Sequence, residues 1–115
     1  MTPRVIRGAM ALWLLASPAA ADVDAAKVFE DKCMACHGKT GTPPKAFAKL
    51  GVRDLSDSEW HASRTDEQIR DSIAKGAEDT LMRAFDKELH SDEIAALVRF
   101  VRSLKTEASS RREEN

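Results

Sequence analysis

Residues 33–37 have the sequence Cys-Met-Ala-Cys-His. In a helix, Cys36 follows Cys33 at i+3 and His37 follows at i+4, so both thiols and the imidazole share one side. Gly38 comes directly after and predicts the end of the helix. The pattern therefore predicts two thiols and one imidazole presented together at a helix terminus.

The string C-x-x-C-H is the attachment signature of c-type haem. The thiols of Cys33 and Cys36 can add to the two vinyl groups of one porphyrin, and His37 can bind the iron. A thioredoxin-type dithiol calls for a preceding strand in a βαβ pattern, but here the preceding segment is helical. A zinc site needs further ligands, and His61 and His90 lack the H-x₃₋₅-H spacing of zinc modules. The sequence predicts one haem c, covalently bound through two thioethers; a periplasmic dithiol oxidoreductase is the distant alternative.

A haem that only transfers electrons needs a sixth iron ligand, because an open position invites oxygen chemistry. Two of the four methionines lie near the N-terminus in a segment predicted to be removed, and Met34 lies inside the motif. Met82 is therefore the predicted ligand, with His61 and His90 as rivals. A role for Met82 as core filler is the plain alternative, since methionine fills gaps readily.

The first 21 residues have the pattern of a secretory signal peptide. Arg4 and Arg7 precede an apolar run over 9–16, and small residues follow at 19–21. This run is too short to cross a bilayer, which takes about 20 residues. We predict cleavage after Ala21, export to the periplasm, and no stable membrane insertion afterwards. The mature part then divides into a domain over 22–105 and a charged, disordered tail over 106–115.

Composition limits the remaining classes of protein. The chain has 115 residues, with 18 Lys plus Arg against 19 Asp plus Glu, so it lacks the basic excess typical of nucleic-acid binding. Its length suits one domain. Two cysteines cannot build a disulfide framework. We expect one small domain that binds no nucleic acid.

Helical signals occur throughout the mature part, and no segment predicts a strand. Helices are predicted over 24–36, from a Ser56/Glu59 capping box, from a Thr65/Gln68 capping box to Gly76, and from a cap at Ser91. The last helix has an apolar stripe consisting of Ile94, Leu97, Val98, Val101 and Leu104. The fold class is therefore all-α.

Three segments together resemble the monohaem class I cytochromes c of bacteria: 33–38 (CMACHG), 81–85 (LMRAF) and 94–104 (IAALVRFVRSL). The resemblance implies three to five short helices wrapped around one covalently bound haem. It also implies an aromatic contact between Phe29 and Phe100 where the first and last helices cross. By the same resemblance, the Pro44 carbonyl (or that of Pro43) accepts a hydrogen bond from His37, and Trp60 lies near a haem propionate.

The resemblance has one informative departure. Family members commonly have proline after the ligand methionine, whereas Arg83 follows Met82 here. Proline fixes φ and stiffens a loop. We therefore expect the sixth ligand to be displaced more easily than in a Met-Pro relative.

The predicted function is a periplasmic carrier of single electrons with no catalytic residues of its own. The alternatives are an electron-transfer subunit of a larger oxidoreductase complex, or a haem enzyme or gas sensor with a labile distal ligand. Redox donors and acceptors are the expected transient partners. A basic rim could steer them, or its members could be scattered solvated charges: Lys39, Lys45, Lys49, Lys75 and Arg83. The predicted haem pocket consists of Leu50, Leu55, Ile69, Ile73, Leu81, Phe85 and Leu97.

Overall fold

The computed structural model describes residues 3, 8 and 23–114, with side chains up to residue 105. The signal-peptide prediction therefore lies outside the described residues. Within 23–114 the regular elements are six α-helices: α1 Ala25–Lys32, α2 Met34–His37, α3 Lys45–Lys49, α4 Ser58–Ser63, α5 Asp66–Lys75 and α6 Ser91–Glu114. The all-α prediction is confirmed. The described part has more helices than the three to five expected, because the first predicted helix is split at Cys33 and a short helix follows Pro44.

The core forms where α6 packs against α1, α4 and α5. All five residues of the predicted apolar stripe are buried, and Leu97 at its centre is only 1% exposed. Phe29 of α1 meets Phe100 of α6 with ring centroids 5.0 Å apart and planes tilted by 47°, which confirms the predicted aromatic contact. Burial of this stripe stabilises helices that would be marginal alone.

One of the two predicted capping boxes is present in the structure. Thr65 and Gln68 form the predicted capping box at the start of α5, with N–H···O distances of 2.9 and 3.1 Å. The predicted cap at Ser56 is wrong. Asp57 caps α4 by accepting from the Glu59 amide, whereas the Ser56 hydroxyl donates to the Asp54 carboxylate. A cap must accept from a backbone amide of the first turn, and the Asp57 carboxylate does so one residue after Ser56.

The last helix begins at Ser91 itself, so that residue is helical and not the cap. The backbone of α6 continues to Glu114, through most of the segment for which the sequence predicts a disordered tail. Residues 107–114 include Glu, Ala and Arg, which have high helix propensity and allow the helix to continue. No helix within the described residues is long and apolar enough to cross a membrane.

Candidate functional site

Cys33 lies at the junction between α1 and α2. Its amide donates to the Phe29 carbonyl at 2.8 Å, and its carbonyl accepts from the His37 amide at 3.0 Å. Its φ of −122° departs from helical geometry, so the chain makes a break at the first residue of the motif. Cys33 and Cys36 are both free and half-buried, and Cys33 packs against the hydrophobic core. The two thiols are therefore held at the edge of the core without a bond between them.

Burial raises the pKa of the Cys33 thiol to about 11, with a further contribution from Cys36, while the charge of Arg83 acts in the opposite direction. Cys33 is therefore protonated at neutral pH. Thiols that act in disulfide exchange have a lowered pKa, because the thiolate is the nucleophile. This environment disfavours the dithiol oxidoreductase alternative.

The His37 imidazole is oriented by a backbone carbonyl. Its Nδ1 lies 3.1 Å from the carbonyl oxygen of Arg53. Because a carbonyl only accepts, Nδ1 carries the hydrogen and Nε2 of the neutral ring keeps a lone pair. Burial lowers the pKa of His37, although the bond to Arg53 acts in the opposite direction. A second partner that fixes the tautomer and ring orientation is typical of histidines that bind metals.

The hydrogen bond from His37 to Pro44 that the resemblance implies is not formed in this structure, where the imidazole faces the Arg53 carbonyl. Pro44 precedes α3, and its carbonyl accepts from the amides of Phe47 and Ala48 at 3.0 and 2.9 Å. That oxygen is used to begin a helix, and the carbonyl of Arg53 takes its place beside the imidazole. The sequence has no signal for this partner, because any residue can offer a carbonyl.

Gly38 ends α2 with a φ of +80°. A Cβ at this position would collide with the carbonyl oxygen of Thr42. Only glycine allows the chain to turn so closely after His37. The turn returns the chain toward Arg53, the partner of the imidazole.

Met82 is half-buried and packs against the same core cluster as Cys33 and Met34. Its amide donates to the Thr80 hydroxyl oxygen at 3.1 Å, and its carbonyl accepts from the Ala77 amide at 3.0 Å. Met82 and two residues of the attachment motif thus border the same hydrophobic core.

His61, the first rival of Met82, is only 4% exposed and has both ring nitrogens engaged. Its Nε2 donates to the Leu55 carbonyl at 2.6 Å, and its Nδ1 accepts from Arg102 at 3.1 Å. It has no nitrogen left for a metal. His90, the second rival, is exposed at the start of α6, and its amide donates to the Glu93 carboxylate.

Trp60 is half-buried on α4, and its ring meets the His61 ring edge-on with centroids 5.0 Å apart. Trp60 also lines an open cavity of about 600 Å³ together with Arg53 and Arg64. Arg53 links this cavity to the motif, since its carbonyl accepts from His37. Asp54, Asp57 and Glu59 line the same opening, so its charge is mixed and it does not by itself identify a site for carboxylates.

The predicted haem-pocket residues separate into two groups. Leu50 and Leu81 are 62% and 64% exposed, so these two predicted pocket residues are not buried in this structure. Leu81 directly precedes Met82 in the chain. The other five are buried in the core: Leu55, Ile69, Ile73, Phe85 and Leu97. Met82 packs against the core cluster to which these five residues belong.

These residues fit a covalently bound haem. Two unpaired thiols are available for thioethers, and an oriented imidazole and a thioether sulfur are available for iron. Among the described residues, no group of three or more His, Cys, Asp or Glu side chains is placed to hold a metal ion, which disfavours a zinc site. His37 and Met82 are the pair whose donor atoms suit haem iron.

Comparison with known proteins identifies a family that matches most of the chain. Residues 20–101 match the family described as cytochrome c oxidase, cbb3-type, subunit III. The cbb3-type cytochrome c oxidase subunit FixP of Bradyrhizobium diazoefficiens is 36% identical over 86 residues, which are 67% of this chain and 28% of FixP. The chain thus spans little more than a quarter of that curated relative.

Solved structures of c-type cytochromes resemble most of the described fold. The KustC0563 c-type cytochrome superposes with a TM-score of 0.67 at 36% identity, covering 72% of this chain and 99% of that one. A single-residue variant of the same cytochrome gives a TM-score of 0.65 at 37% identity, covering 72% and 100%. The all-α fold is thus shared with c-type cytochromes.

Proposed function

The chain belongs to the family described as cytochrome c oxidase, cbb3-type, subunit III, and it is a haem-based electron carrier. We propose the following site and role for it. One haem c is bound through thioethers from Cys33 and Cys36. His37 and Met82 are its axial ligands. The protein is a carrier of single electrons in the periplasm.

The proposal depends on the tautomer of the His37 ring and on the two free thiols of the same motif. Because Nδ1 donates to the Arg53 carbonyl, the unprotonated Nε2 is the atom available for iron. The two thiols lie within the preceding turn of the same motif, so one edge of a porphyrin can be fixed while the imidazole binds from one face.

Haem, when bound, supplies an iron that gains and loses one electron. The contribution of Met82 is a soft sulfur, which stabilises the ferrous form and raises the reduction potential. The core side chains against which Met82 packs also raise the reduction potential, because an apolar environment disfavours the extra positive charge of ferric iron. The chain itself therefore sets both ligation and polarity.

The partners we propose are a redox donor and a redox acceptor that bind in turn. Transient redox encounters use small interfaces. A second candidate role, as an electron-transfer subunit of a larger oxidoreductase complex, is favoured by the similarity to FixP, an oxidase subunit. Copurification of the tagged protein with an oxidase from its native membrane would support the second role, and a monomer in the soluble fraction would support the first.

Export is the final element of the proposal. The segment 1–21 is removed as a signal peptide, and the mature chain starts at Asp22. Intact mass and N-terminal sequencing of the protein recovered from the periplasm test this directly. A cytoplasmic product that retains Met1 would contradict it.

Potentiometric titration of the purified holoprotein tests the carrier role. We expect a single one-electron transition and no binding of carbon monoxide to the ferrous form, because Met82 occupies the sixth position. Rapid binding of carbon monoxide by the untreated ferrous protein would instead support the haem enzyme or gas sensor. A transition with more than one component would contradict a single haem.

A further inference from the structure

The segment that carries Met82 is restrained on both sides by backbone hydrogen bonds. The Ala77 amide donates to the Met82 carbonyl at 3.0 Å, and the Phe85 amide donates to the carbonyl of Ile73 in α5 at 3.0 Å. Arg83 lies between these points, at the position where proline would fix φ. Arginine cannot stiffen the backbone in this way, so any added restraint must come from its side chain.

The side chain of Arg83 makes two contacts that hold it in place. Its guanidinium lies against Glu88, with Nη1–Oε1 and Nη2–Oε2 distances of 2.6 and 3.4 Å. The same group lies over the ring of Phe85, with its Cζ 4.2 Å from the centroid. Phe85 is buried, and a two-pronged contact with a carboxylate fixes direction as well as distance. Arg83 is therefore anchored against the core beside Met82.

Glu88 extends this anchoring to the attachment motif. Its Oε2 lies 3.4 Å from the Nζ of Lys32, the last residue of α1, directly before Cys33. The amide of Leu89, the next residue, donates to the Phe85 carbonyl at 2.8 Å, so Glu88 stands on a turn tied to the core. The carboxylate thus bridges the segment after Met82 and the helix before Cys33.

We propose that Glu88 is a positioning residue: through Arg83 and Lys32 it holds the Met82 segment against the helix that carries Cys33, and so resists displacement of Met82 from the iron. The proposal rests on the proposed function, in which Met82 is a ligand. The missing proline predicts a sixth ligand that is displaced easily. The Arg83–Glu88 ion pair makes this displacement harder, because it supplies part of the restraint that the pyrrolidine ring would give.

The test is a double-mutant cycle on the ferric holoprotein with Arg83→Gln, Glu88→Gln and the double variant. Imidazole is titrated while the methionine-to-iron charge-transfer band is followed. An exposed ion pair of this kind predicts imidazole binding about two- to five-fold tighter in each single variant. The double variant should resemble Glu88→Gln, because the one ion pair that Arg83→Gln removes is among the two that Glu88→Gln removes. Glu67→Gln, which removes a carboxylate from an exposed 3.7 Å pair with Arg70 on α5, is the matched control and should leave imidazole binding unchanged.

A second readout separates positioning from general stability. In Glu88→Gln the charge-transfer band should be lost at a lower temperature than in the parent, while helix unfolding followed by circular dichroism shifts less. Equal imidazole affinities in parent and variants, or strictly additive effects in the cycle, would overturn the role of Glu88. Absence of the band from the parent protein would overturn Met82 ligation instead, so the two failures are distinguishable.

Discussion

Arg102 donates from its Nη1 to the Nδ1 of His61 at 3.1 Å, across the contact between α6 and α4. The same guanidinium reaches the carbonyls of His61 and Arg64 at 2.9 and 2.6 Å and the Asp66 carboxylate at 2.8 Å. Because an arginine only donates, Nδ1 of His61 is unprotonated and Nε2–H faces the Leu55 carbonyl. This buried histidine is therefore a structural residue, and Met82 is left as the candidate ligand.

Replacing the two candidate ligands should give opposite spectroscopic results. Met82→Ala removes the sulfur, so the ferric protein should lose its methionine-to-iron charge-transfer band, and the ferrous form should bind carbon monoxide. His61→Gln should keep the band but lower the free energy of unfolding by about 1–3 kcal/mol, because buried partners lose their hydrogen bonds. Loss of the band in His61→Gln with retention in Met82→Ala would reverse the assignment.

The unfolding free energy should fall in mildly acidic solution because of His61. Burial lowers the pKa of His61 below its ordinary value of 6.5, and the nearby Arg102 adds to this effect. The unfolded chain therefore binds a proton at a higher pH than the folded chain does. The contribution of neutral His61 to the unfolding free energy is complete above about pH 6.5 and is lost as the pH falls below that value. The unfolding free energy then decreases by up to about 1.4 kcal/mol per pH unit.

Denaturant unfolding of the parent and of His61→Gln between pH 7.5 and 5 checks this dependence. The variant should show a smaller decrease in unfolding free energy over this range. His37 also has a lowered pKa, and its contribution is common to both proteins, so it cancels in the comparison. Identical pH profiles would contradict the role of His61.

Arg102 should be more important for stability than other surface arginines. It joins α6 to α4 and to the start of α5. Arg102→Gln should therefore cost about 1–3 kcal/mol of unfolding free energy, since it leaves buried acceptors unpaired. Arg70→Gln, in an exposed pair on α5, should change stability by less than about 0.5 kcal/mol. Equal effects in thermal or denaturant unfolding would contradict the structural role of Arg102.

Much of this architecture could be predicted from local patterns. The motif at 33–37, the capping box of α5 and the apolar stripe of α6 depend on residues close together in sequence, where periodicity and capping rules apply. The partners of the site could not be predicted. The Arg53 carbonyl beside His37, the burial of His61 by Arg102, and the Arg83–Glu88 pair depend on tertiary packing. Backbone carbonyls in particular have no residue-specific signal.

Two glycines provide a matched test of how α5 positions the ligand segment. Gly76 has a φ of +79°, and a Cβ there would lie 2.7 Å from the Met82 carbonyl oxygen. Gly51 has a φ of +87° with open space around it. An alanine at either position is strained by the left-handed backbone, by about 1–2 kcal/mol. Only Gly76→Ala must also push the Met82 segment away.

We therefore expect Gly76→Ala to cost more unfolding free energy than Gly51→Ala, and to weaken the charge-transfer band or make imidazole bind more tightly. Gly51→Ala should leave both spectroscopic properties as in the parent. Equal spectra for the two variants would show that the close approach of Gly76 to Met82 has no effect on ligation.

The central claim is that Cys33 and Cys36 attach a porphyrin covalently, and the intact mass of the exported protein after acid–organic extraction tests it most directly. The account predicts a polypeptide that begins at Asp22, keeps the mass of one haem through extraction, and has no titratable thiol. Single replacement of either cysteine by alanine should leave one thioether at most. A colourless polypeptide with two free thiols after extraction of the exported protein would contradict the account.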